Sequence, residues 1–279
     1  MSIWVGRRDG GGLVNSDDAR VNVLDHGFTV ADGVFETLKV TADGPFALTR
    51  HLRRLVASAR ALGLADPDLD VVRVAVDDVV RANVDALEDN GRLRITYTGG
   101  IAPLGSDRGD AVPTLVLAVA PSAAWPATTT LATVPWTRNE RSAVAGVKST
   151  SYAENVVALR EAHQRGASEA VLANTRGELC EGTGTNVFVI VEGRVLTPPL
   201  SSGCLAGITR ELVLEWFDAH EEVLPIGVLA DADEVFITSS TRNVHPVVRV
   251  DDRQWPEAGP IARELQASFD ARAALDIDP

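Results

Sequence analysis

The stretch Pro121-Ser-Ala-Ala-Trp-Pro126 limits what this chain can fold into. Each proline fixes φ and removes a backbone donor, so neither a helix nor a sheet ladder runs through a segment with one at each end. A chain of 279 residues interrupted there divides into an N-terminal domain at 1–120, a linker at 121–127 and a C-terminal domain at 128–279. Each part has the size of an ordinary domain.

Before the linker, short apolar runs at 3–5, 21–24 and 34–40 lie between Gly and Asp turns and read as strands. The Ala42-Asp43-Gly44-Pro45 turn predicts a hairpin from 34–40 into 45–48. Thr49 is a candidate N-cap for a helix with Leu52, Leu55, Val56, Ala59 and Leu62 on one face, ended by Gly63. A second amphipathic helix is predicted over 69–87, then strands at 92–98 and 113–120. After the linker, strands are predicted at 129–134, 170–173, 186–191, 194–197 and 235–238. Ser151 and Glu154 have capping-box spacing before a helix that Gly166 ends, and a further helix spans 207–219. Short strands with long loops and no regular βαβ alternation predict an α+β fold.

Composition narrows the partners. A net charge of −13 argues against nucleic acid or an anionic membrane as the main ligand, while a local group of arginines still suits a small anion. Cys180 and Cys204 make no disulfide framework at this length, which points to a reducing cytoplasm. The start of the chain has no apolar signal-peptide core, and no run of ~18 apolar residues suggests a transmembrane helix.

Four features carry chemistry. Of 26 Lys and Arg residues only Lys39 and Lys148 are lysines, and Lys148 lies in V-K-S-T-S-Y-A-E-N. Arginine stays protonated, whereas a desolvated lysine serves as a nucleophilic amine. Glu181 stands in C-E-G-T-G-T-N, where Gly182 and Gly184 allow a flat ring near the backbone. Gly207-Ile208-Thr209-Arg210 opens a helix, and a helix start binds anions. Thr238-Ser239-Ser240-Thr241 places hydroxyls at a strand end. Each alone is ordinary: a solvated lysine, a loop glutamate, a cap, a turn.

Their order, together with L-D-H-G-F-T-V-A-D-G-V-F-E-T at 24–37, H-L-R-R-L at 51–55, T-P-P-L at 197–200, C-L-A-G-I-T-R at 204–210 and E-V-F-I-T-S-S-T at 234–241, resembles the class IV aminotransferases. These are fold-type IV pyridoxal-phosphate enzymes: branched-chain aminotransferases, D-amino acid transaminases, (R)-selective amine transaminases and aminodeoxychorismate lyases. The resemblance covers almost the whole chain. It implies a two-domain α+β enzyme, with a smaller N-terminal α/β domain and a larger strand-rich, barrel-like C-terminal domain. It also implies pyridoxal 5'-phosphate as cofactor, small-molecule amino and keto acids as substrates, no bound metal, and a homodimer.

Residue by residue, the resemblance makes Lys148 the Schiff-base lysine and proton carrier, and Glu181 the partner of the pyridine nitrogen. Arg54 binds the phosphate, with Ile208, Thr209, Ser240 and Thr241. Leu205 packs on the ring, and Tyr152 lies at a position that orients cofactor or lysine. Typical D-amino acid transaminases hold the substrate carboxylate with a Tyr where this chain has Phe35, and with an Arg and a His in the loop that here reads T-G-G-I-A-P-L-G-S-D-R-G. Arg108 in that loop is the substitute candidate, ahead of Arg138, Arg141 and Arg242. The expected reaction is transamination from a D-amino acid, with (R)-amines as further donors, to a keto acid by a ping-pong route. The alternatives are a 4-amino-4-deoxychorismate lyase releasing pyruvate and 4-aminobenzoate, and a branched-chain L-amino acid aminotransferase. Intact Lys148, Glu181 and Arg54 argue against a catalytically silent member.

Overall fold

The computed structural model describes residues 1–7, 10–87 and 90–279. It is a mixed α+β structure whose chain forms two compact units. One comprises residues 1–124, 147–151 and 277–279, and the other residues 125–146 and 152–276.

The first unit is built on an antiparallel sheet. Its elements are β1 (Ser2–Arg7), β2 (Gly10–Asn15), α1 (His26–Thr29), β3 (Gly33–Thr41), β4 (Gly44–Pro45), α2 (Leu48–Ala61), α3 (Leu69–Arg81), α4 (Val84–Leu87), β5 (Gly91–Thr98) and β6 (Thr114–Pro121). Among the described residues the strand order is β2-β1-β6-β5-β3-β4. Alternation along each strand sends Val34, Leu38, Leu93, Ile95, Leu115 and Leu117 to a core shared with Leu52, Leu55 and Ala59 of α2 and Val72, Val76 and Val79 of α3. The other face follows from register. Phe35 lies opposite Thr96, Thr37 opposite Arg94, and Lys39 opposite Arg92.

Residues 147–151 follow the linker in sequence but pack with this unit, because their backbone adds to the start of β3. The Phe35 N–H donates to Lys148 O at 3.0 Å, and Thr150 N–H to Gly33 O at 2.8 Å. The C-terminus joins the same unit through Asp278, which accepts from the Thr49 N–H at 2.8 Å and the Thr49 hydroxyl at 2.5 Å.

The second unit contains β7 (Thr129–Arg138), α5 (Ala153–Gln164), β8 (Glu169–Asn174), β9 (Leu179–Gly182), β10 (Asn186–Val191), β11 (Arg194–Thr197), α6 (Ile208–Trp216), β12 (Ala219–Glu221), α7 (Val228–Asp231), β13 (Glu234–Ser239), β14 (Asn243–Val250), β15 (Arg253–Gln254) and α8 (Pro260–Ala273). Among the described residues these strands form a mixed sheet in the order β12-β11-β10-β13-β14-β7-β8-β9, with β15 on β14. Leu131, Val171, Val187, Val189, Val235, Ile237 and Val247 fill its core. Small residues let α5 approach closely: Ala158 and Ala162 pack on Ala132 and Ala170. Among the described residues no helix is long and apolar enough to cross a membrane.

Several local expectations are corrected. Residues 21–24 form no strand; they turn into α1, which Asp25 caps by accepting from the Gly27 N–H at 2.8 Å. The hairpin partner of β3 is only Gly44–Pro45, and α2 begins at Leu48 after Ala47 with φ 55°. Thr49 therefore sits inside the helix and is held by Asp278. The predicted 69–87 helix breaks at Ala82-Asn83, where Asn83 Nδ2 donates to Val79 O and Ser2 O. Ser151 and Glu154 form no capping box: Tyr152 is the N-cap of α5, with no side-chain cap. The helix after Gly207 stops at Trp216, and Ala219–Glu221 is a strand.

Candidate active site

In the first unit the lysine of V-K-S-T-S-Y-A-E-N meets an aromatic ring and an arginine. Lys148 is half-buried, and its Nζ lies 4.5 Å from the centre of the Phe35 ring. The Arg94 guanidinium carbon lies 3.6 Å from the same centre. β3 and β5 produce this arrangement, since Arg94 faces Thr37, the next residue after Phe35 on that face.

Behind β3, Glu36 points to the core side and has no exposed surface. Arg54 of α2 meets it at two points, with Nε 2.9 Å from Oε1 and Nη2 2.6 Å from Oε2. His51, one helical turn earlier, places Nδ1 2.7 Å from Oε2. Burial would raise the Glu36 carboxyl, but the Arg54 charge and hydrogen bond, with His51, bring it down to about 2. Burial also lowers His51, against the pull of Glu36. A neutral imidazole facing an ionised carboxylate donates from Nδ1. Arg54 thus has a fixed orientation.

Arg108, the candidate carboxylate ligand from the sequence, is committed elsewhere. Its Nε pairs with Asp32 Oδ2, and its Nη2 donates to Asp32 Oδ1 at 2.6 Å and Leu62 O at 2.7 Å. Its Nη1 donates to Gly63 O at 3.1 Å. It fastens the 99–112 loop to the segment between α1 and β3 and to the residues that follow α2. Arg94, which sequence reasoning missed, is the arginine beside Phe35. A signal for it was present: Leu93 and Ile95 facing the core put Arg94 on the opposite face.

In the second unit Glu181 lies on β9 and is 9% exposed. Its Oε1 is 3.0 Å from Arg138 Nε, and its Oε2 accepts from the Leu205 N–H at 2.8 Å. Leu205 itself lies just before α6. Gly207 is the N-cap of that helix and offers no side-chain cap. The first ladder bond runs from Glu211 N–H to Gly207 O, which leaves the amides of Ile208, Thr209 and Arg210 outside the helical ladder. A Cβ at Gly207 would meet Asn186 Oδ1 at 2.0 Å. Asn186 holds this approach by donating from Nδ2 to Leu205 O at 2.9 Å.

Thr238 of β13 pairs with Asn186 of β10, which brings the end of β13 to the same place. The Thr238 hydroxyl is buried without a hydrogen-bond partner in the structure. Ser240 and Thr241 follow it in the turn to β14, half-buried, as is Tyr152 at the start of α5. Of the other arginine candidates, Arg141 is 81% exposed, and Arg242 stacks at 3.9 Å over Trp125. Lys148, Arg54, Phe35 and Arg108 therefore belong to the first unit, and Glu181, Tyr152, Leu205, Ile208, Thr209, Ser240 and Thr241 to the second.

The family model for class IV amino-transferases matches residues 33–250. The chain belongs to the class IV aminotransferases. This class IV aminotransferase is 32% identical over 272 residues to a putative branched-chain-amino-acid aminotransferase of Methanocaldococcus jannaschii, covering 93% of each chain. It is 30% identical to the D-alanine aminotransferase of Staphylococcus haemolyticus, covering 93% of this chain and 94% of that one. It is also 30% identical to a bifunctional aminodeoxychorismate lyase / D-amino acid transaminase of Mycobacterium tuberculosis, covering 88% and 90%. Among solved structures, a fold IV transaminase from Curtobacterium pusillum superposes with a TM-score of 0.87 at 28% identity, covering 98% of each chain. A pyridoxal-phosphate-bound hypothetical aminotransferase from M. tuberculosis gives 0.83 at 28% identity, covering 96% and 98%.

The class IV aminotransferase is a pyridoxal-phosphate-dependent enzyme acting on small amino and keto acids. The second unit suits that cofactor. Amides outside the ladder at the start of α6 and the partnerless Thr238 hydroxyl fit a phosphate, and the buried Glu181 carboxylate fits a cationic ring nitrogen.

Proposed function

We propose that this aminotransferase moves the amino group of a D-amino acid to a keto acid by a ping-pong route, and that (R)-amines also serve as donors. The observation that carries this reading is the placing of the Lys148 amine and the Arg94 guanidinium over one Phe35 ring. A substrate carboxylate paired with Arg94 then lies within a short side chain of the amine that must reach its Cα. Phe35 contributes a flat apolar surface where a tyrosine would contribute a hydroxyl. The likeness to D-alanine aminotransferase supports the D-configuration.

Bound pyridoxal phosphate supplies the carbon that carries the amino group and a ring that draws electrons from Cα. With the cofactor bound, the Lys148 amine would take up the proton that leaves the substrate Cα and hold it for return. The Glu181 carboxylate would accept a hydrogen bond from the protonated ring nitrogen. In the first unit Arg54, oriented by Glu36, would bind phosphate; in the second unit the amides of Ile208 and Thr209 and the hydroxyls of Thr209, Ser240 and Thr241 would bind phosphate. Leu205 would cover one face of the ring, and Tyr152 stands at a position that would orient cofactor or lysine. Arg94 replaces Arg108 as carboxylate ligand in this scheme.

Exposed Phe28, Val23 and Leu104, clustered in sequence around α1 and the 99–112 loop, support a homodimer. Two buried free thiols suit the cytoplasm.

Two other outcomes remain in view because relatives carry those names: release of pyruvate and 4-aminobenzoate from aminodeoxychorismate, and transamination of branched-chain L-amino acids. A donor screen of D- and L-amino acids and (R)-1-phenylethylamine, run beside a lyase assay, tests the choice. D-amino acids turning over only when a keto acid is present support it. Pyruvate and 4-aminobenzoate formed without an acceptor, or a preference for L-leucine, contradict it.

A further inference from the structure

We propose that Arg138 is a positioning residue for Glu181, fixing the carboxylate so that the proton it shares with the cofactor ring stays on the ring nitrogen. This rests on the reading that Glu181 meets that nitrogen.

Arg138 ends β7, where the pairing with β8 is irregular. β7 advances from Thr133 to Thr137 while β8 advances only from Val171 to Ala173. Such a bulge re-aims the side chains beyond it. The result is a guanidinium with three neighbours. Nε lies 3.0 Å from Glu181 Oε1, Nη2 donates to Asn155 Oδ1 at 2.9 Å, and Nη1 lies 3.6 Å from Glu154 Oε2.

Asn155 ties the guanidinium to the segment it serves. Its Nδ2 donates to Thr183 O at 2.5 Å, and a carbonyl only accepts, so the orientation of the amide is determined. Thr183 is two residues beyond Glu181, and its N–H donates to the buried Glu169 Oε1 at 3.1 Å. Arg138, Asn155, Thr183 and Glu181 thus form a closed loop of contacts and chain. The second oxygen of Glu181 is held by the Leu205 N–H. Both carboxylate oxygens have assigned donors or charges.

The surrounding charges leave Arg138 in control. Burial pushes the Cys180 thiol up and the Cys204 thiol up to about 11, so both stay neutral. Glu154 is 79% exposed and screened by water, and Glu169 is met by Thr183, the Ala170 N–H and, at 3.8 Å, Arg242. A guanidinium keeps its proton at any working pH. A cation at this distance stabilises the negative carboxylate and weakens it as a proton acceptor, which favours the proton on the nitrogen.

The test is the ring-nitrogen NMR signal of holoenzyme loaded with ¹⁵N-labelled pyridoxal phosphate at neutral pH, in the wild type and in Glu181→Gln, Arg138→Gln, Arg138→Lys and Asn155→Ala. The wild-type signal is expected at the protonated position. Glu181→Gln and Arg138→Gln both displace it toward the unprotonated position, and Arg138→Lys restores most of the difference. If Arg138→Gln does not retain cofactor, Asn155→Ala decides: a displaced signal supports the proposal, and a wild-type signal overturns it. A wild-type signal in Arg138→Gln with a displaced one in Glu181→Gln overturns the role of Arg138 and leaves Glu181 in place. An unchanged signal in Glu181→Gln overturns the reading of Glu181 itself, and this proposal with it.

Discussion

Glu36 and Arg54 form a two-point ion pair inside the first unit, with Nη2 2.6 Å from Oε2 and Nε 2.9 Å from Oε1, around a carboxylate with no exposed surface. A buried carboxylate persists as an anion only when its charge is matched, and here the Arg54 guanidinium matches it while the neutral His51 imidazole donates a hydrogen bond.

Glu36→Gln should therefore destabilise the cofactor-free protein by about 3 kcal/mol, because it leaves the Arg54 charge without its partner in the interior. It should also weaken pyridoxal phosphate binding by about tenfold, as an unfixed guanidinium pays more entropy to grip a phosphate. Denaturant unfolding and a cofactor titration measure the two effects. A loss below ~1 kcal/mol would show that the pair is not a structural anchor.

Acid should unfold the protein in two stages. The Glu36 carboxyl is lowered to about 2 in the folded state, so its contribution is complete above the ordinary value of 4.5 and is lost as pH falls below that. Its full size is roughly 3 kcal/mol, from 1.36 kcal/mol per unit. His51 is lowered from 6.5, first by burial. The unfolded chain thus binds its proton more readily, and stability already declines as pH drops through 6.5. Urea midpoints from pH 8 to 4 should fall below about 6.5 and fall faster below 4.5. His51→Gln should remove the upper part of the decline; an unchanged profile in that variant would contradict the assignment.

Arg94→Leu should lower kcat/KM for amino acids by about a hundredfold, the loss of one charge-assisted contact, and leave the cofactor spectrum unaltered. Amines without a carboxylate should be spared. Arg108→Leu should act differently. It unfastens Asp32, Leu62 and Gly63 and should cost about 1–2 kcal/mol of stability, while amines and amino acids suffer alike. Steady-state kinetics on D-alanine and (R)-1-phenylethylamine separate the two arginines, and a carboxylate-selective defect in Arg108→Leu would reverse their roles.

Gly207→Ala should weaken cofactor binding, since the new Cβ meets Asn186 Oδ1 at 2.0 Å and must displace either Asn186 or the start of α6. A cost of about 1–3 kcal/mol is expected for such crowding. Thermal unfolding with and without pyridoxal phosphate measures it, and an unchanged ligand-induced shift would remove the start of α6 from the phosphate site.

Periodicity made much of this fold legible. The inward rows Leu52, Leu55, Ala59 and Leu93, Ile95, Tyr97 were readable because burial demands them. β2 was not, because its glycines resemble a turn, and only pairing with β1 extends them. The capping box at Ser151 and Glu154 failed because the preceding backbone is bound to β3: Thr150 donates through its N–H to Gly33 O and through its hydroxyl to Ala31 O. At the site, motif order exposed Lys148 and Glu181. The choice between Arg94 and Arg108 needed the register of β3 and β5, a pairing across about sixty residues of sequence. The anchoring of Arg54 had a signal that went unused: a glutamate inside an apolar strand and a His-x-x-Arg spacing on one helix face.

The role of Lys148 can be tested with little ambiguity, because Lys39 is the only other lysine in the chain. Holoenzyme reduced with borohydride, digested and mapped by mass spectrometry should carry the reduced cofactor on the peptide containing Lys148, and Lys148→Ala should carry none. The label on Lys39 would contradict the account.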